Sequence, residues 1–227
     1  MIHAILIAFK NPQQTKTRWE RDMFPALKTT GKPFAVTVMD NSPEHSPLLA
    51  ETFGDDYLWQ EGRNPMYGPT LNTAVLRRPT EELVLYCCSR HGRAYSDTWV
   101  NELLAPFADG NVGAAGHLMG SNSPNGVASD GGPGCEWVKE AYRFTDDYGV
   151  GQVPQHVQGG VFMARTGLML RFPYPAQFPH NYTDHILTWN ILKAGYKCVD
   201  VPTIKSVWRD KVYIRSGLSY IHDCWEE

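Results

Sequence analysis

Two aspartates stand where a carboxylate could do chemistry. Asp40 directly follows the apolar run 35–39, and its oxygens could accept hydrogen bonds from a nucleoside base or a ribose. Asp184 precedes a segment with helical spacing, where the free backbone N–H groups of a helix start would favour the ionised form of its carboxyl group. Aspartate also commonly caps turns and helices, so each residue keeps a structural interpretation beside the chemical one.

The elements that would position these residues alternate along the chain. Short apolar runs rich in β-branched residues recur between segments with helical spacing, which predicts an α/β fold with a mainly parallel sheet flanked by helices. The predicted strands are 4–9, 34–39, 57–59, 82–87, 112–115, 161–164 and 197–201. The predicted helices include 19–27 with a kink at Pro25, 46–51, one that starts at Pro69, one that is capped by Asp97 and stops at Gly110, and one from Asp184 to Gly195.

Composition excludes several classes of protein. The chain has 227 residues, of which 42% are hydrophobic and 20% charged, and this suits one domain with a sizeable core. The net charge of -3 is not that of a general nucleic-acid or anionic-membrane binder. Five scattered cysteines without a CxxC pair argue against a disulfide framework or a cysteine zinc site. Because the first apolar run is too short to span a bilayer and lacks the flanks of a signal peptide, we expect a cytoplasmic protein.

The predicted topology places Asp40 where ligands usually bind. In an open α/β sheet, loops and helix N-termini beyond the carboxyl ends of the strands present free N–H donors. No GxGxxG or GxxxxGK[ST] motif follows any predicted strand, which counts against a dinucleotide fold and a P-loop. A nucleotidyltransferase is a less favoured alternative, because residues 9–12 match a phosphate-binding loop poorly.

The order of the motifs resembles the family 2 glycosyltransferases, nucleotide-sugar enzymes of the GT-A fold, over residues 3–205. Two of the motifs are similar to the family's Gly-Gly strand and to its Glu-Asp pair, which precedes a helix ending in Gly-Tyr. The motifs are an early strand ending in Asp40; Asn64-Pro65-Met66-Tyr67-Gly68 followed by Asn72; a buried strand ending in Leu85-Tyr86-Cys87-Cys88; Gln158-Gly159-Gly160 leading to Arg165; and Thr183-Asp184 before Gly195-Tyr196.

The resemblance implies an enzyme that moves a sugar from a nucleotide-diphosphate donor, UDP-linked, to a hydroxyl acceptor with inversion. Asp40 would contact the uridine-like part of the donor, and Asp184 would be the general base. The other implied donor-site residues are Asn64, Gly68 and Asn72, which would shape the floor of the site, together with Gly159 and Gly160.

The sequence departs from the family at the expected metal site. Family members usually carry Asp-x-Asp after the fourth strand, where carboxylates hold Mn²⁺ or Mg²⁺ against the donor diphosphate. The corresponding stretch here, 87–93, reads Cys-Cys-Ser-Arg-His-Gly-Arg and contains no acidic residue. The way in which this site would handle a diphosphate is therefore an open question at the level of sequence.

Three interpretations of this departure stay open. His91, with His222 or Asp223, could ligate a divalent metal, and we rank this first because the stretch lies where the metal-binding acids would be. Arg90 or Arg93 could instead neutralise the diphosphate directly with a guanidinium group. Finally, the site could be degenerate and the protein a catalytically inactive module that binds a nucleotide or a sugar.

The resemblance accounts for nearly the whole chain as a single domain. It implies a nucleotide-sugar-binding half (1–116), an acceptor and catalytic half (117–205) and a C-terminal tail (206–227). The irregular stretch 120–155 has the length and composition of a functional loop, so we expect it and the tail to select the acceptor.

No membrane partner is expected. A modified base in nucleic acid is one conceivable acceptor, since a local basic groove could be formed by Arg77, Arg78, Arg90, Arg93 and Lys205.

Overall fold

Seven strands form one sheet in the computed structural model, which describes residues 1–88, 97–120, 155–175, 183–201, 203 and 204. The strands are β1 (Ile2–Ala8), β2 (Phe34–Asp40), β3 (Tyr57–Trp59), β4 (Leu83–Cys88), β5 (Val112–Gly120), β6 (Gln155–Arg165) and β7 (Lys197–Asp200). Their order across the sheet is β3-β2-β1-β4-β6-β5-β7.

The sheet is mixed and mainly parallel, as the sequence predicted. β1 pairs in parallel with both β2 and β4, and β5 pairs in parallel with β7. Among the described strands, only β6 runs antiparallel to its neighbours, β4 and β5. Every residue of β1 is buried, because helices cover both faces of the sheet, and this explains why the strand is a nearly continuous apolar run.

Helices pack on the two faces of this sheet and create two apolar layers. The helices are α1 (Pro12–Arg18), α2 (Phe24–Thr29), α3 (Pro47–Phe53), α4 (Tyr67–Arg77), α5 (Trp99–Leu104), α6 (Thr166–Arg171) and α7 (Thr183–Lys193). Leu6 of β1 packs with Leu27 and Trp99 in one layer, whereas its neighbour Ile5 packs with Leu71 and Ile191 in the other. The alternation follows from the strand period of two residues. Within the described part of the chain, no helix has the length and apolar character needed to cross a membrane.

The first helical region is longer than the sequence predicted. It begins at Pro12, with Asn11 capping the backbone N–H of Gln14, and continues through a π-helical turn, Trp19–Met23, into α2. The prediction of a helix over 19–27 missed the first turns because they contain no apolar periodicity. Pro25 has no N–H to donate, and the π-helical turn directly precedes it, with the Phe24 N–H bonded five residues back to Trp19.

Two other helix boundaries differ from the predictions. α5 has Thr98 rather than Asp97 at its N-cap position, and that residue makes no side-chain capping bond. The α-helix ends at Leu104 and gives way to a 3₁₀ turn, Ala105–Ala108, since Pro106 lacks the N–H that would continue the helix. α4 starts at Tyr67, two residues before the predicted start at Pro69.

β5 and β6 extend beyond their predicted ranges, toward the end of the sheet where β4 ends. The additional segments are rich in glycine and polar residues, whose low strand propensity concealed them. They pair with each other across a register shift between Gly116 and Leu118, so the partner strand stabilises what local propensity does not. This extension carries residues 155–160 into the candidate site.

Candidate active site

The candidate site lies at one edge of the sheet, the edge at which β1, β2, β3 and β4 end and β6 begins, here called the carboxyl edge. From β1 the sheet grows in both directions: β2 and β3 lie on one side of β1, and β4 pairs with β1 on the other side. In open α/β sheets the crevice for a ligand forms beyond the carboxyl ends of strands at such a change of direction. The predicted site residues in the described ranges come from loops and helix starts at this edge and from β6.

Asp40 ends β2 and is completely buried, with 0% of its surface exposed. One carboxylate oxygen, Oδ1, accepts the backbone N–H of Ser42 at 2.9 Å, and Oδ2 accepts the hydroxyl of Tyr57 at 2.8 Å. Burial, together with the carboxylate of Asp40, raises the pKa of Tyr57 to about 12, so the phenol remains a donor. Both carboxylate oxygens therefore organise the loop after β2, and the predicted contact with a nucleoside stays a prediction.

The loop after β2 is fixed by further bonds around Ser42. Its Oγ accepts the backbone N–H of Lys10 at 2.8 Å, and its carbonyl accepts the indole N–H of Trp59 at 3.0 Å. The Tyr57 oxygen also accepts the backbone N–H of Ser46, the residue that caps α3. These bonds join the loops after β1 and β2 to the strand β3.

Asn41 is a candidate site residue that the sequence pattern identifies only as part of a turn. It is completely buried, its Nδ2 donates to Thr70 at 2.8 Å, and the same nitrogen lies 3.4 Å from Oδ1 of Asn64. Among the described residues, no group donates a hydrogen bond to its Oδ1. Its position directly after Asp40 was the signal available in the sequence.

Asn64 and Gly68 lie on the loop and the first helical turn beside Asn41. The Oδ1 of Asn64 accepts the backbone N–H of Met66 at 3.1 Å, and Met66 has a positive φ of 69°, which marks a sharply bent backbone before α4. Gly68 is buried in the first turn of α4. The structure therefore brings Asn64 beside Asn41, just beyond the end of β2, while the donor-site role of Asn64 and Gly68 stays a prediction.

Asn72 makes a different contact from the one expected of a residue at the site floor. Its Nδ2 donates to the carbonyl of Tyr174 at 2.9 Å, and its Oδ1 accepts the N–H of the same residue at 2.9 Å. This pair of bonds ties α4 to the segment that follows α6. It holds the ring of Tyr174 with its centroid 5.8 Å from that of Tyr67.

Asp184 lies in the first turn of α7, and 23% of its side chain is exposed. Its Oδ2 accepts the backbone N–H of Gly159 at 3.3 Å and lies 3.4 Å from Nε2 of His156. A β-carbon added at Gly159 would lie 3.4 Å from the β-carbon of Asp184, so the glycine allows a close approach. The structure thus brings the predicted base and the predicted Gly-Gly strand into contact, and buried Gly160 follows in the same strand.

Two buried tyrosines share the environment of Asp184. Burial first, and the negative charge of Asp184 in addition, raises the pKa of both Tyr67 and Tyr174 above the ordinary value for a phenol. Both side chains therefore remain neutral at any working pH. No sequence pattern predicts this pair, because the contact between the two tyrosines depends on how α4 and the segment after α6 pack.

The residues predicted to handle a diphosphate or a metal lie outside the described residues. These are Arg90, His91, Arg93 and His222. Within the described ranges, no group of three or more histidine, cysteine, aspartate or glutamate side chains could hold a metal ion. The described side chains alone therefore do not make a site with three such ligands.

Comparisons with known proteins identify the fold. No protein-family model and no curated protein sequence matches this chain. The structure is similar to that of the mannosyltransferase PcManGT from Pyrobaculum calidifontis in complex with GDP-Man and Mn²⁺, with 16% identity, a TM-score of 0.61 and coverage of 93% of this chain and 58% of that chain. This chain therefore spans less than two thirds of the length of that enzyme.

Two further solved structures share the architecture. Glucosyl-3-phosphoglycerate synthase from Mycobacterium tuberculosis, in complex with Mn²⁺, UDP and phosphoglyceric acid, has 14% identity and a TM-score of 0.63, covering 98% of this chain and 73% of that chain. TarS (1–349) from S. aureus has 15% identity and a TM-score of 0.51, covering 90% of this chain and 58% of that chain. The chain has the GT-A fold that the sequence predicted.

Proposed function

We propose that this protein is a glycosyltransferase that moves a sugar from a nucleotide-diphosphate sugar to a hydroxyl acceptor, with inversion at the anomeric carbon. The observation that carries the proposal is the placement of Asp184 at the carboxyl edge of a GT-A sheet. Its carboxylate is partly exposed and is held by the backbone N–H of Gly159. The solved structures of this fold that bind UDP or GDP-Man support a nucleotide sugar as donor.

Asp184 acts in this proposal as the general base. As the acceptor oxygen attacks the anomeric carbon, its proton passes to the carboxylate of Asp184, and a new carbon–oxygen bond forms. The bond from the anomeric carbon to the donor phosphate breaks at the same time, and the nucleoside diphosphate leaves with the electron pair. One base on the acceptor side and a leaving group opposite it produce inversion.

The proposed nucleoside site is the loop after β2 with the loop before α4. Asp40 anchors the first loop through its bonds to Ser42 and Tyr57, and buried Asn41 joins it to α4 through Thr70. We propose UDP as the nucleotide, because the glucosyl-3-phosphoglycerate synthase structure of this fold binds it. Asn64 and Gly68 shape the floor, while Asn72 supports the site through Tyr174.

The diphosphate requires positive charge, and we propose two sources for it. Arg90 and Arg93 could provide guanidinium groups, or a divalent cation, Mn²⁺ or Mg²⁺, could be held by His91 and His222. Mn²⁺ is present in the mannosyltransferase and phosphoglycerate synthase structures. Because the described residues form no metal-binding group, no step of the proposed reaction is assigned to a metal.

A catalytically inactive nucleotide-binding module is the second candidate. It is favoured by the absence of any aspartate or glutamate over residues 83–96, the stretch that follows the start of β4. A module of this kind would bind the nucleotide at the same loops but would release no product. Turnover of the donor therefore separates the two candidates.

Calorimetry with nucleotides tests the binding that both candidates share. UDP, GDP and dTDP are titrated into the protein in the presence of Mn²⁺ and, separately, of Mg²⁺, with uridine as a control that lacks the diphosphate. We expect UDP to bind more tightly than GDP and dTDP. If none of the three diphosphates binds under either condition, the proposed function is wrong.

The stereochemistry of donor hydrolysis tests the proposed inversion. With UDP-α-glucose as donor and water as acceptor, proton NMR spectra recorded during turnover report which anomer of glucose appears first. Direct attack assisted by one base produces β-glucose. Initial formation of α-glucose would show a retaining reaction and would remove the reason for a single base at Asp184.

A further inference from the structure

His156 lies in β6 directly beside the first turn of α7, and only 8% of its side chain is exposed. Its Nε2 is 3.4 Å from Oδ2 of Asp184. We propose that His156 is a positioning residue for Asp184, which orients the carboxylate for the acceptor proton by donating its Nε2–H to Oδ2. This inference rests on the proposed function, because it assigns a role relative to the proposed base.

The first turn of α7 is fixed to β6 at three points. Oδ2 of Asp184 accepts the N–H of Gly159 at 3.3 Å and faces Nε2 of His156. The hydroxyl of Thr188 donates to the carbonyl of Asp184 at 2.9 Å and accepts the N–H of Val157 at 3.0 Å. The backbone of Asp184 is therefore held in place, and the remaining freedom of the carboxylate is rotation of the side chain.

Two groups of β6 that face the same oxygen limit that rotation. A carboxylate oxygen can accept two hydrogen bonds, so Gly159 and His156 can both bind Oδ2. The N–H of Gly159 alone, at 3.3 Å, is a weak restraint. A second donor from His156, on the same strand, would restrict the orientation of the carboxylate plane more strongly.

The chemistry of the pair determines which form of the imidazole is needed. A carboxylate only accepts hydrogen bonds, so the hydrogen of His156 must be on Nε2. A hydrogen bond to an ionised group is about twice as strong as one between neutral groups. The proposed bond from His156 to Asp184 joins two side chains that are mostly buried. His156 thus contributes orientation, while the proton from the acceptor goes to Asp184 alone.

A second histidine–aspartate pair at the same end of the sheet provides a matched control. Nδ1 of His117 lies 3.4 Å from Oδ1 of Asp200, and that oxygen also accepts the N–H of Leu118 at 2.8 Å. Each aspartate therefore faces one imidazole and one backbone N–H. Asp200 ends β7 and lacks the contact with the Gly-Gly strand, so we assign it no part in the reaction.

The first experiment measures the contact without any substrate. Long-range proton–nitrogen NMR spectra of the histidine rings report which nitrogen carries the hydrogen, and the His156→Gln spectrum assigns the His156 signals. We expect the Nε2–H form of His156 in the wild type and a redistribution in Asp184→Asn, since an amide can donate to Nε2. Asp200→Asn should leave His156 unchanged. Identical His156 signals in the wild type and Asp184→Asn would overturn the proposal.

The second experiment separates positioning from folding. Donor hydrolysis is followed as UDP release from UDP-glucose, with thermal unfolding of each variant as a check on the fold. We expect His156→Ala to lower kcat by about 10- to 100-fold, because a misplaced base loses most of its effect. The KM for the donor should stay within about twofold of the wild-type value, since His156 is assigned no contact with the donor. His156→Gln, which keeps a donor, should recover much of the loss.

The outcomes distinguish this inference from the proposed function. His117→Gln is the control and should have the kcat of the wild type. If the wild type hydrolyses the donor and His156→Ala does so at the same kcat, the positioning role is wrong while the proposed function stands. If the wild type binds no nucleotide and releases no UDP, both are wrong.

Discussion

Asp184 and Asp40 are two carboxylates at the carboxyl edge with opposite surroundings. Asp40 is fully buried, and each of its oxygens accepts a hydrogen bond from the protein. Asp184 is partly exposed at the start of a helix, and its Oδ2 faces the N–H of Gly159 and the imidazole of His156. A buried carboxylate that is already satisfied suits a structural anchor, whereas a partly exposed one can exchange a proton with a substrate.

The bond from Tyr57 to Asp40 should be important for stability. Tyr57→Phe removes the hydroxyl and leaves Oδ2 of a completely buried carboxylate without this donor. We expect the free energy of unfolding to fall by about 1–3 kcal/mol, the usual cost of an unsatisfied buried polar group. Urea denaturation monitored by circular dichroism measures it. A loss of less than a few tenths of a kcal/mol would show that water replaces the phenol and that the loop is not built around this bond.

His3 gives the fold a specific dependence on pH. It is completely buried in β1, its Nε2 is 2.8 Å from the Thr37 hydroxyl, and burial, with a smaller effect of Arg78, lowers its pKa from 6.5 to about 4. Between these two values the unfolded chain binds a proton that the folded protein does not. The contribution of His3 to stability is therefore fully present above pH 6.5 and decreases as the pH falls toward 4.

The size of this effect follows from the width of the pH window. The free energy of unfolding should fall by about 3 kcal/mol between pH 6.5 and 4 because of His3. His3→Gln, which does not titrate there, should lack this part of the slope. Urea unfolding of both proteins at a series of pH values measures the difference. Parallel curves for the two proteins would contradict the lowered pKa.

Among the secondary-structure elements, the sequence predicted those whose pattern lies within the segment itself. β1, β2 and β4 are apolar runs because both their faces are buried, and all three were located to within two residues at each end. The glycine-rich halves of β5 and β6 were missed, because pairing between strands far apart in sequence stabilises them. The start of α1 was missed because its residues are polar, although the Asn11-Pro12 pair is a helix-start signal.

Gly113 sets how closely α6 and α7 approach β5. A β-carbon at this position would lie 2.6 Å from Cγ2 of Ile191 and 2.9 Å from Cδ1 of Leu168. Gly113→Ala should therefore lower the free energy of unfolding by about 1–3 kcal/mol through overpacking. Thermal or urea unfolding measures the change.

Gly110 supplies the matched control for this substitution. It lies just before β5, and a β-carbon there would meet no atom within 4 Å. Gly110→Ala should be neutral or slightly stabilising, because it reduces the entropy of the unfolded chain. Equal stability of the two alanine variants would show that the helices move outward at no cost.

At the scale of the whole molecule, the sequence predicted the fold more completely than the site. The motif order predicted a GT-A sheet, which the solved structures of that fold confirm. The structure brings Asp184 into contact with Gly159, two residues that the sequence singled out separately, and their roles in a reaction stay predictions. The bonds of Asn72 to Tyr174 and the approach of His156 to Asp184 could not be predicted, because they depend on tertiary packing between distant segments.

UDP release from UDP-glucose, compared between the wild type and Asp184→Asn, tests whether this chain transfers a sugar with Asp184 as base. UDP affinity of both proteins is measured by calorimetry in parallel. We predict UDP release in the wild type, a rate slower by about 100-fold or more in the variant, and UDP affinities that agree within about twofold. Equal rates of UDP release in the two proteins, or binding of UDP with no release in either, would show that Asp184 is not the base of a glycosyltransferase.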